Sequence, residues 1–573
     1  MAGGRRALPA GRGGAGVDWA PSAKAGDLAT DEPGESAFDE AHDRVAAAAA
    51  IGEVADFTED ADPDDLREMA DEAWEARTID GRWLGRFIVE AVEVHHRGVR
   101  IRGARIRNGL DLEGAAVEQI LVLERCLIDG GLSLRDASSR RLDLSESVCS
   151  SILASRLHVD GDLTLERVRV DGGIELVGAQ VDGSLSLGGA RLQNADGYAF
   201  SADRVGVSGG LFARDGFEAD GEVRLLDAQV DGPFDITGAK LRNAGGIALH
   251  ADALRVNGVF LAVDGFEADG EVRLLGAQID GPLVLWGAKL RNGDGYALNA
   301  DRIHVSGGLF ADGFEADGQV RLIGAQVGGS LSFRGAKLRN AGDCALDCES
   351  VRSASLWLVF SVTPVGVVDL TNARVGAVYD TEATWPEAIR LGGFTYDEVR
   401  GDPPIDRAGR LRWLARDPSG YSPQVYDQLV AMYRRLGQEE DARAVAIEKQ
   451  RRRRATLDVP GRAWGWLLDG VVGYGYRPGL AGLWFALCWL IGCAVYAGAY
   501  PSEMHPANSA AAHPQFHAAI YSLDVLLPIV DLHQESAWIP HGWSQDWTWF
   551  AIVAGWVLST ALVAGLSGIL RKD

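Results

Sequence analysis

Cysteine and methionine are scarce in this sequence, and charge of one sign dominates it. Its 573 residues include 6 Cys and 4 Met, which excludes a small scaffold held together by disulfides. The 81 acidic residues outnumber the 56 basic ones, giving a formal net charge of −25. Because nonspecific nucleic-acid binding needs a positive surface, we expect no nucleic acid among the partners. The N-terminus lacks the apolar core of a secretory signal.

Glycine, by contrast, is abundant. Its 72 residues follow no strict three-residue period, which excludes collagen and favours a fold rich in turns. The middle of the chain also repeats itself: the string DGFEADGEVRLL begins at Asp215 and at Asp264, and DGFEADGQVRLI begins at Asp312. The spacing of 48–49 residues indicates stacked units that share one continuous core.

A shorter unit lies inside this repeat. In this unit two apolar residues stand five positions apart, and an alanine that is expected to pack inside the coil lies between them. Ile236 with Leu241 and Leu285 with Leu290 are examples. A five-residue step fits neither a helix nor simple alternation, but it fits a chain that turns a corner after each short strand. Asp-Gly and Asn-Gly steps supply the turns. We therefore predict a mainly β protein built on a parallel β-solenoid of about 22–25 residues per coil and about 13 coils.

The string AKLRN at Ala239 and at Ala288 resembles the pentapeptide-repeat pattern A(D/N)LxX. The resemblance implies a right-handed, four-sided β-helix, and insertions such as Gly232-Pro233 predict a coil wider than that of the family. The whole arrangement is similar to a bacterial, mainly actinobacterial, group with a degenerate solenoid, a basic helical linker and two C-terminal membrane spans. Members of that group are often catalogued as membrane-associated oxidoreductases, which the resemblance implies here.

Composition divides the chain into segments. We predict a disordered acidic segment over 1–60, a capping helical segment over 61–96, the solenoid over 97–380, a linker over 381–420 and a basic helical collar over 421–478. The collar is predicted to be a helical hairpin: its first helix begins near Pro423 and ends at Gly437, and its second begins at Glu439. It is either a rigid connector or a docking surface.

Two uncharged apolar stretches, 479–499 and 547–570, are each long enough to span a hydrocarbon core of ~30 Å. Nine of the 16 Trp lie from Trp464 onward, where an interfacial aromatic belt is expected. Basic residues precede the first stretch and follow the second, whereas the connecting segment 500–546 contains no Lys or Arg. The positive-inside rule then places both termini in the cytoplasm. The resemblance implies that the two spans lie in a bacterial plasma membrane. The alternative is a pair of buried helices in a soluble core.

Three sets of residues are candidates for function at the membrane. The basic run at the end of the collar is expected to bind anionic lipid headgroups: Lys449, Arg451, Arg452, Arg453 and Arg454. Small residues four apart in the spans predict close helix packing and a homo-oligomer: Cys493 with Ala497, and Ala561 with Gly565. Substitution of Gly565 by Leu is expected to weaken assembly.

The third set lies in 516–532 (FHAAIYSLDVLLPIVDL), an apolar segment between the spans that resembles the pore helix of two-span ion channels. Its candidate residues are Phe516, Tyr521, Asp524, Pro528 and Asp531. Pro528 is expected to break or kink the helix. The potassium-filter signature TVGYG is absent, so potassium selectivity is not predicted. An amphipathic helix at the interface is the favoured interpretation, and a re-entrant pore element is the alternative.

The oxidoreductase label finds no supporting motif. Neither span contains a His for haem ligation, the Cys residues are not clustered, and no Gly-rich nucleotide loop stands between a strand and a helix. The outer segment contains five His that are expected to be exposed, with metal binding or pH sensing as alternatives: His505, His513, His517, His533 and His541. We therefore predict no catalytic, cofactor-binding or metal-binding residue.

The sequence thus favours a membrane-anchored cytoplasmic solenoid that acts as a binding or scaffold protein at the inner membrane face, with an unidentified cytoplasmic protein on the rod. The alternative is an oligomeric two-span channel or sensor unit that the solenoid gates. The partner, the ion, the oligomeric state and the binding face of the solenoid are left open by the sequence.

Overall fold

The computed structural model describes residues 35–59, 66–91, 93–476, 478–507 and 515–570. Within these ranges it describes every side chain apart from those of residues 35–37, 294, 342–343, 472, 475, 478, 561–562 and 564–570.

A parallel β-solenoid of about 14 turns covers residues 99–401, which confirms the predicted fold class. Among the described residues, the strands form two long parallel sheets. In the first sheet, the coils between His158 and Phe310 each contribute two short strands, whereas in the second sheet most coils contribute one longer strand. One sheet holds the strands Ala55–Asp56, Val99–Arg102, Ala116–Glu124, Ser138–Asp143, His158–Val159, Leu163–Thr164, Gln180–Val181, Leu185–Ser186, Gly206–Val207, Leu211–Phe212, Gln229–Val230, Phe234–Asp235, Arg255–Val256, Phe260–Leu261, Gln278–Ile279, Leu283–Val284, His304–Val305, Leu309–Phe310, Gln326–Ser332, Arg352–Leu358, Arg374–Asp380 and Thr395–Gly401.

The other sheet holds the strands Thr78–Asp80, Arg105–Arg107, Leu110–Asp111, Leu127–Ser133, Val148–Leu153, Arg169–Val170, Ile174–Glu175, Arg191–Ser201, Glu218–Arg224, Lys240–His250, Glu267–Arg273, Lys289–Asn299, Glu315–Arg321, Lys337–Asp347, Val365–Asp369 and Ile389–Arg390. We call these two the first and the second sheet. A separate antiparallel pair joins Met504–Pro506 to Trp538–Pro540.

The core of the rod consists of columns of inward side chains. Leu211 pairs in register with Phe234 on the next coil, and Phe234 pairs with Phe260 on the coil after that. The rings of Phe234 and Phe260 lie 4.5 Å apart between centroids. Alanines of the five-residue unit, such as Ala239 and Ala288, are completely buried because only a small side chain fits beside the apolar columns.

The N-terminal end of the rod differs from its prediction. Helix α1 covers Glu35–Ile51, inside the segment predicted to be disordered, and the strand Ala55–Asp56 pairs with the first coil. Ala41, Val45 and Ala49 recur every four residues and are buried. A helix with such an apolar stripe covers the open end of the solenoid core. Helices α2 (Asp71–Trp74) and α3 (Gly81–Glu90) follow.

The C-terminal end of the rod also differs. The strands Ile389–Arg390 and Thr395–Gly401 add solenoid structure inside the segment predicted to be a linker. Helix α4 (Arg407–Leu414) packs below them. The guanidinium of Arg410 donates two hydrogen bonds, of 2.6 and 3.0 Å, to the carboxylate of Asp380, and both side chains are almost wholly buried. This ion pair ties α4 to the last coils.

Six helices complete the described chain. They are α5 (Pro423–Arg435), α6 (Glu439–Ala455), α7 (Val459–Val472), α8 (Pro478–Ala499), α9 (Ala518–Leu526) and α10 (Trp543–Leu570). In the described residues, one helix is long and apolar enough to cross a membrane by length and composition, Gly479–Ala499 in α8, and 17% of its apolar window is buried. The structure therefore gives one candidate span where the sequence predicts two.

Candidate functional site

Helix α9 lies beside the middle of α8 and α10. The indole N–H of Trp489 in α8 donates to the carbonyl of Ala519 at 3.0 Å, and the hydroxyl of Ser522 donates to the carbonyl of Trp489 at 3.0 Å. Trp489 is near the centre of α8, which has 22 residues. At the other end of α9, a Cβ atom on Gly555 of α10 would overlap the carbonyl oxygen of Leu526.

These contacts set the depth of α9. Gly555 stands twelve residues after Trp543, the first residue of α10, which is about 18 Å along the helix axis. The segment then returns, because the strand Trp538–Pro540 pairs with Met504–Pro506 just after the end of α8. Residues 515–540 thus enter from one end of the helix pair, reach its middle and leave by the same end. An interfacial helix would instead lie across the ends of α8 and α10.

Helix α9 is shorter than the predicted helix 516–532. It ends at Leu526, and Leu527 adopts an extended conformation, with φ −97° and ψ 95°. Pro528 is the cause, because proline disfavours the helical conformation of the residue before it. The residues after it form a loop, which we call the re-entrant loop, 527–535.

Asp524 holds the re-entrant loop in place. Its buried carboxylate accepts hydrogen bonds from the backbone N–H groups of Leu532, Gln534 and Glu535, at 2.6, 2.8 and 2.8 Å. Gln534, which the sequence analysis did not single out, is also buried and ties the loop to the start of α9 by accepting from the backbone N–H of His517 at 3.3 Å. Backbone donors that would be costly to bury alone are satisfied in this way.

Aromatic side chains fix the outer half of this unit. Tyr521 is fully buried against Tyr496 of α8, with ring centroids 4.6 Å apart. Phe516 stacks on Tyr500 at 4.8 Å and meets Trp538 edge-on at 5.3 Å. Two of the predicted residues, Phe516 and Tyr521, therefore anchor the segment through packing.

A cleft of about 240 Å³ opens beside the re-entrant loop, between α9 and α10. Asp524, Asp531 and Glu535 are among its lining residues, as is Pro528. The tip of the loop exposes apolar side chains: Ile529 is 83% exposed and Val530 is 49% exposed. In water such a tip would be unfavourable, so its position favours contact with lipid or with another subunit.

The predicted helix-packing pairs have different positions. Cys493 and the preceding Gly492 face Ser522 of α9 within the same chain, whereas Ala497 is exposed. The side chains of Ala561 and Gly565 lie outside the described residues. The prediction that these pairs assemble a homo-oligomer is not tested by the structure of one chain.

Most basic residues of the collar have acidic partners. Lys449 pairs with Asp427 at 2.6 Å, and Arg452 pairs with Glu448 at 3.0 Å. Asp469 of α7 accepts from Arg451 at 2.9 Å and from Arg454 at 3.3 Å, and the guanidinium of Arg454 lies 3.8 Å from the ring centroid of Trp466. Among the described residues, Arg453 has no ion-pair partner and is exposed. Headgroup binding by all five would require these pairs to open. The pair of Arg452 with Glu448 is partly exposed and contributes little stability, whereas the pair of Arg454 with Asp469 is largely buried, so its opening is more costly.

The long second sheet carries a ladder of alternating charge on its outer surface. Lys240, Glu267, Lys289, Glu315 and Lys337 stand in register on consecutive coils. The amines of Lys289 and Lys337 lie 3.1 and 2.6 Å from the carboxylates of Glu267 and Glu315. The rod therefore neutralises its own basic side chains along this face.

The first sheet has a different outer surface. Phe212, Leu261, Phe310, Trp357 and Tyr379 follow one outward column, which we call the apolar column, interrupted by Asp235 and Ser332. The rings of Trp357 and Tyr379 stack at 3.8 Å. Trp286 stands beside this column and is 52% exposed. The short degenerate strands hid this column from sequence reasoning, because register decides which side chains become neighbours.

Histidine and cysteine chemistry is limited in the described part of the chain. The rings of His505 and His541 lie 5.0 Å apart, and His513 lies outside the described residues. His158, Asp160 and Asp182 come close enough to share an ion, but all three are exposed. Burial raises the pKa of Cys126 and of Cys149 to about 12.

The fold defines the chain as a parallel β-solenoid protein with a C-terminal helical unit. Comparisons with family models, with curated proteins and with solved structures give no match. The pentapeptide-repeat and actinobacterial resemblances therefore stay predictions.

Proposed function

We propose that the chain is a membrane-anchored β-solenoid protein whose C-terminal helices assemble into an oligomeric, channel-like unit that the rod gates. The observation that carries the proposal is the depth of α9 and its re-entrant loop beside the middle of α8 and α10. Irregular backbone is tolerated at membrane depth only where protein buries it or where it lines a cavity. Asp524 satisfies the backbone N–H groups of Leu532, Gln534 and Glu535, and residues 527–531 line the cleft beside the loop, which supports the proposal.

Both long helices take part as spans in this proposal. Helix α8 contains the candidate span, and α10, with 28 residues, is about 42 Å long. Both expose apolar side chains, among them Leu483 and Leu490 on α8 and Val553 and Trp556 on α10. Two spans cannot enclose a pore, so several copies are required. These surfaces then contact lipid or neighbouring copies, with the solenoid in the cytoplasm and the spans in the plasma membrane.

The charge of the connecting segment favours cations as the transported species. Residues 500–546 contain no Lys or Arg, and the re-entrant loop carries Asp531 and Glu535. An acidic entrance raises the local concentration of cations and lowers that of anions.

Flux through proteoliposomes of the full chain tests the proposal. Gly555→Ala pushes a Cβ atom into the carbonyl of Leu526 and displaces α9, so we expect flux to fall at least tenfold. Gly498→Ala is the matched control, because the space around that position on α8 is open and flux should persist. Cations and anions are assayed separately, and oligomer size is measured in detergent.

Absence of flux from a well-incorporated oligomer, over several ions and pH values, would overturn the channel proposal. Equal flux from the two glycine variants would show that the position of α9 is irrelevant to conduction.

A scaffold role for the rod is the second candidate, and the apolar column with Trp286 favours it. An outward aromatic row on a solenoid offers a protein partner a repeated contact surface. Trp286→Ser should then abolish retention of a cytoplasmic partner without lowering the thermal stability of the rod. The matched control is Val365→Ser, since Val365 is exposed on the other sheet.

An oxidoreductase function is implied by the resemblance, and the described residues add no support for it. Cys126, Cys149, Cys344 and Cys348 are buried in the rod, where they behave as small apolar side chains, so no described residue supports a thiol redox role for the rod.

A further inference from the structure

A cleft of about 560 Å³ lies where the last coils of the rod meet α5 of the collar. The rod contributes Ser353, Arg374, Thr395 and Asp397, and α5 contributes Gln428 and Arg435. This volume is typical of sites for small molecules.

The wall that α5 supplies is held rigidly. The side-chain amide of Gln428 donates to the carbonyl of Tyr396 at 2.6 Å, and the guanidinium of Arg435 donates to the same carbonyl at 2.8 Å. Arg435 also donates to the carboxylate of Asp397, so the acidic residue of the cleft is already engaged. A fixed wall lowers the entropic cost of holding a ligand.

The rod side of the cleft carries uncompensated positive charge. Arg352 and Arg374 are register partners on consecutive coils, and Arg374 is followed on the next coil by Thr395. Both arginines are exposed, and neither has an ion pair among the residues that the structure describes. On the second sheet, by contrast, basic and acidic side chains alternate from coil to coil.

Like charges directly opposite each other on neighbouring strands are destabilising. No carboxylate stands in register with Arg352 or Arg374, although the rod is acidic. Asp397, the carboxylate among the lining residues of the cleft, is engaged by Arg435, which favours a function over a structural role for the two arginines. Guanidinium groups present forked N–H donors that match the oxygens of a phosphate group. Arg374 lies in the cleft, Arg352 stands beside it, and Arg435 faces it from α5.

We propose that this cleft binds a phosphate-bearing anion, either a free phosphorylated metabolite or the headgroup of an anionic lipid. A bound anion offsets the repulsion between Arg352 and Arg374 and bridges the rod to α5. The proposal does not depend on conduction by the C-terminal helices.

The test uses the full chain in detergent and isothermal titration calorimetry with sodium pyrophosphate as the probe. Arg374→Gln and Arg352→Gln should each weaken pyrophosphate binding at least tenfold, and raising the salt concentration should weaken binding by the wild type. Arg255→Gln is the matched control, because Arg255 stands in the same column with Gln229 and Gln278 as its neighbours and lies far from the cleft. Its affinity for pyrophosphate should be unchanged.

A second arm separates the two sources of phosphate. The full chain is reconstituted in nanodiscs of phosphatidylglycerol or of phosphatidylcholine. Each preparation is then titrated with pyrophosphate. Competition by phosphatidylglycerol alone would identify a headgroup, and equal pyrophosphate affinity in the two lipids would identify a free metabolite. No pyrophosphate binding at 10 mM in detergent and in phosphatidylcholine, with no effect of Arg374→Gln on lipid preference, would overturn the proposal.

Thermal unfolding without added anion distinguishes binding from a structural role. Arg374→Gln removes repulsion, so its melting temperature should equal or exceed that of the wild type. Addition of pyrophosphate should raise the melting temperatures of the wild type and of Arg255→Gln, and should raise that of Arg374→Gln much less. A lower melting temperature for Arg374→Gln than for Arg255→Gln would assign Arg374 to the structure of the rod.

Discussion

The rod and the C-terminal helices differ in where they place apolar side chains: the rod places most of them in its interior, and the helices place many of them on their outer surface. Leu290, in the second sheet, points into the rod and is 1% exposed, whereas Leu490, in the middle of α8, is 58% exposed. The rod buries its inward columns of apolar side chains and presents the charged ladder of the second sheet to water. The helices bury a small aromatic cluster around Tyr521 and present apolar side chains outward.

The difference follows from what surrounds each region. A solenoid satisfies its backbone between coils and needs an interior of its own, so its outer surface is free to be polar. A helix satisfies its backbone internally, so its outer surface can match hydrocarbon or another helix. The two regions meet at the collar, where basic side chains and exposed tryptophans such as Trp464 and Trp466 occur together.

Buried carboxylates give the strongest contrast between the two regions. In the rod, Asp380 is paired with the buried Arg410, and the indole of Trp385 also donates to it at 2.8 Å. Asp380→Asn leaves the Arg410 charge uncompensated, so we expect the free energy of unfolding of the rod to fall by about 3–5 kcal/mol. Glu382→Gln is the control, because its pair with Arg412 is exposed to water and its loss should hardly change the stability of the rod. Urea denaturation followed by circular dichroism measures both. Equal losses would mean that water reaches Asp380.

One leucine in each region tests the difference in surroundings directly. Leu290→Ala removes buried apolar volume and leaves a cavity, which should cost about 2–5 kcal/mol. Leu490→Ala removes a side chain that one copy of the chain leaves exposed, so the helical unit should change by less than about 0.5 kcal/mol in detergent.

The measurement is the unfolding midpoint of each purified variant in the same detergent. A large loss for Leu490→Ala would contradict lipid contact at that position. It would instead place α8 against another copy of the chain.

Much of the rod was predictable from the sequence because it repeats. Pairs such as Leu285 and Leu290 report the corners of every coil, so many weak signals agree on one fold. The last strands, Ile389–Arg390 and Thr395–Gly401, were missed because Trp385 and Pro386 interrupt that pattern. Helix α1 was missed because its stripe of Ala41, Val45 and Ala49 sits in an alanine-rich run that resembles low complexity.

The candidate site was predictable only in part. Phe516, Tyr521 and Asp524 stood out by composition and by their place between two apolar stretches. The depth of α9 was not predictable, because it depends on Gly492 and Gly555 leaving room for a third helix. Such contacts between distant residues have no local signature. The pairing of Lys449 with Asp427 and of Arg451 and Arg454 with Asp469 depends on tertiary structure in the same way. The pair of Arg452 with Glu448 is local, because the two residues stand four apart on α6.

A substitution of Asp524 tests whether the C-terminal unit depends on hydrogen bonds between a carboxylate and backbone N–H groups, as the rod depends on the ion pair of Asp380 with Arg410. Asp524→Asn keeps one acceptor oxygen but replaces the other by a donor that faces backbone N–H groups. We expect a loss of about 1–3 kcal/mol, confined to the re-entrant loop. Hydrogen exchange measured by mass spectrometry should be faster than in the wild type at residues 527–535. Exchange in the rod should be the same as in the wild type. Asp546→Asn, at the start of α10, serves as the control, and matching exchange in the two variants would show that the loop does not depend on Asp524.

The smallest expected effect is a pH dependence of the rod that centres on one histidine. His250 lies 3.0 Å from the carboxylate of Glu222 and 3.3 Å from that of Asp252. The hydrogen bond to Glu222 is the main cause of the raised pKa of His250, and the charge of Asp252 adds to it. A raised pKa in the folded state means that protonated His250 stabilises the rod. This contribution is complete below about pH 6.5, the ordinary pKa of an unfolded histidine, and is lost as pH rises through the raised value.

His250→Asn should therefore lower the free energy of unfolding by about 1 kcal/mol at pH 5.5 and by much less at pH 8.5. His304→Asn, at an exposed position on the first sheet, is the matched control for removal of an imidazole ring. A loss that is the same at both pH values would mean that His250 acts by packing rather than by charge.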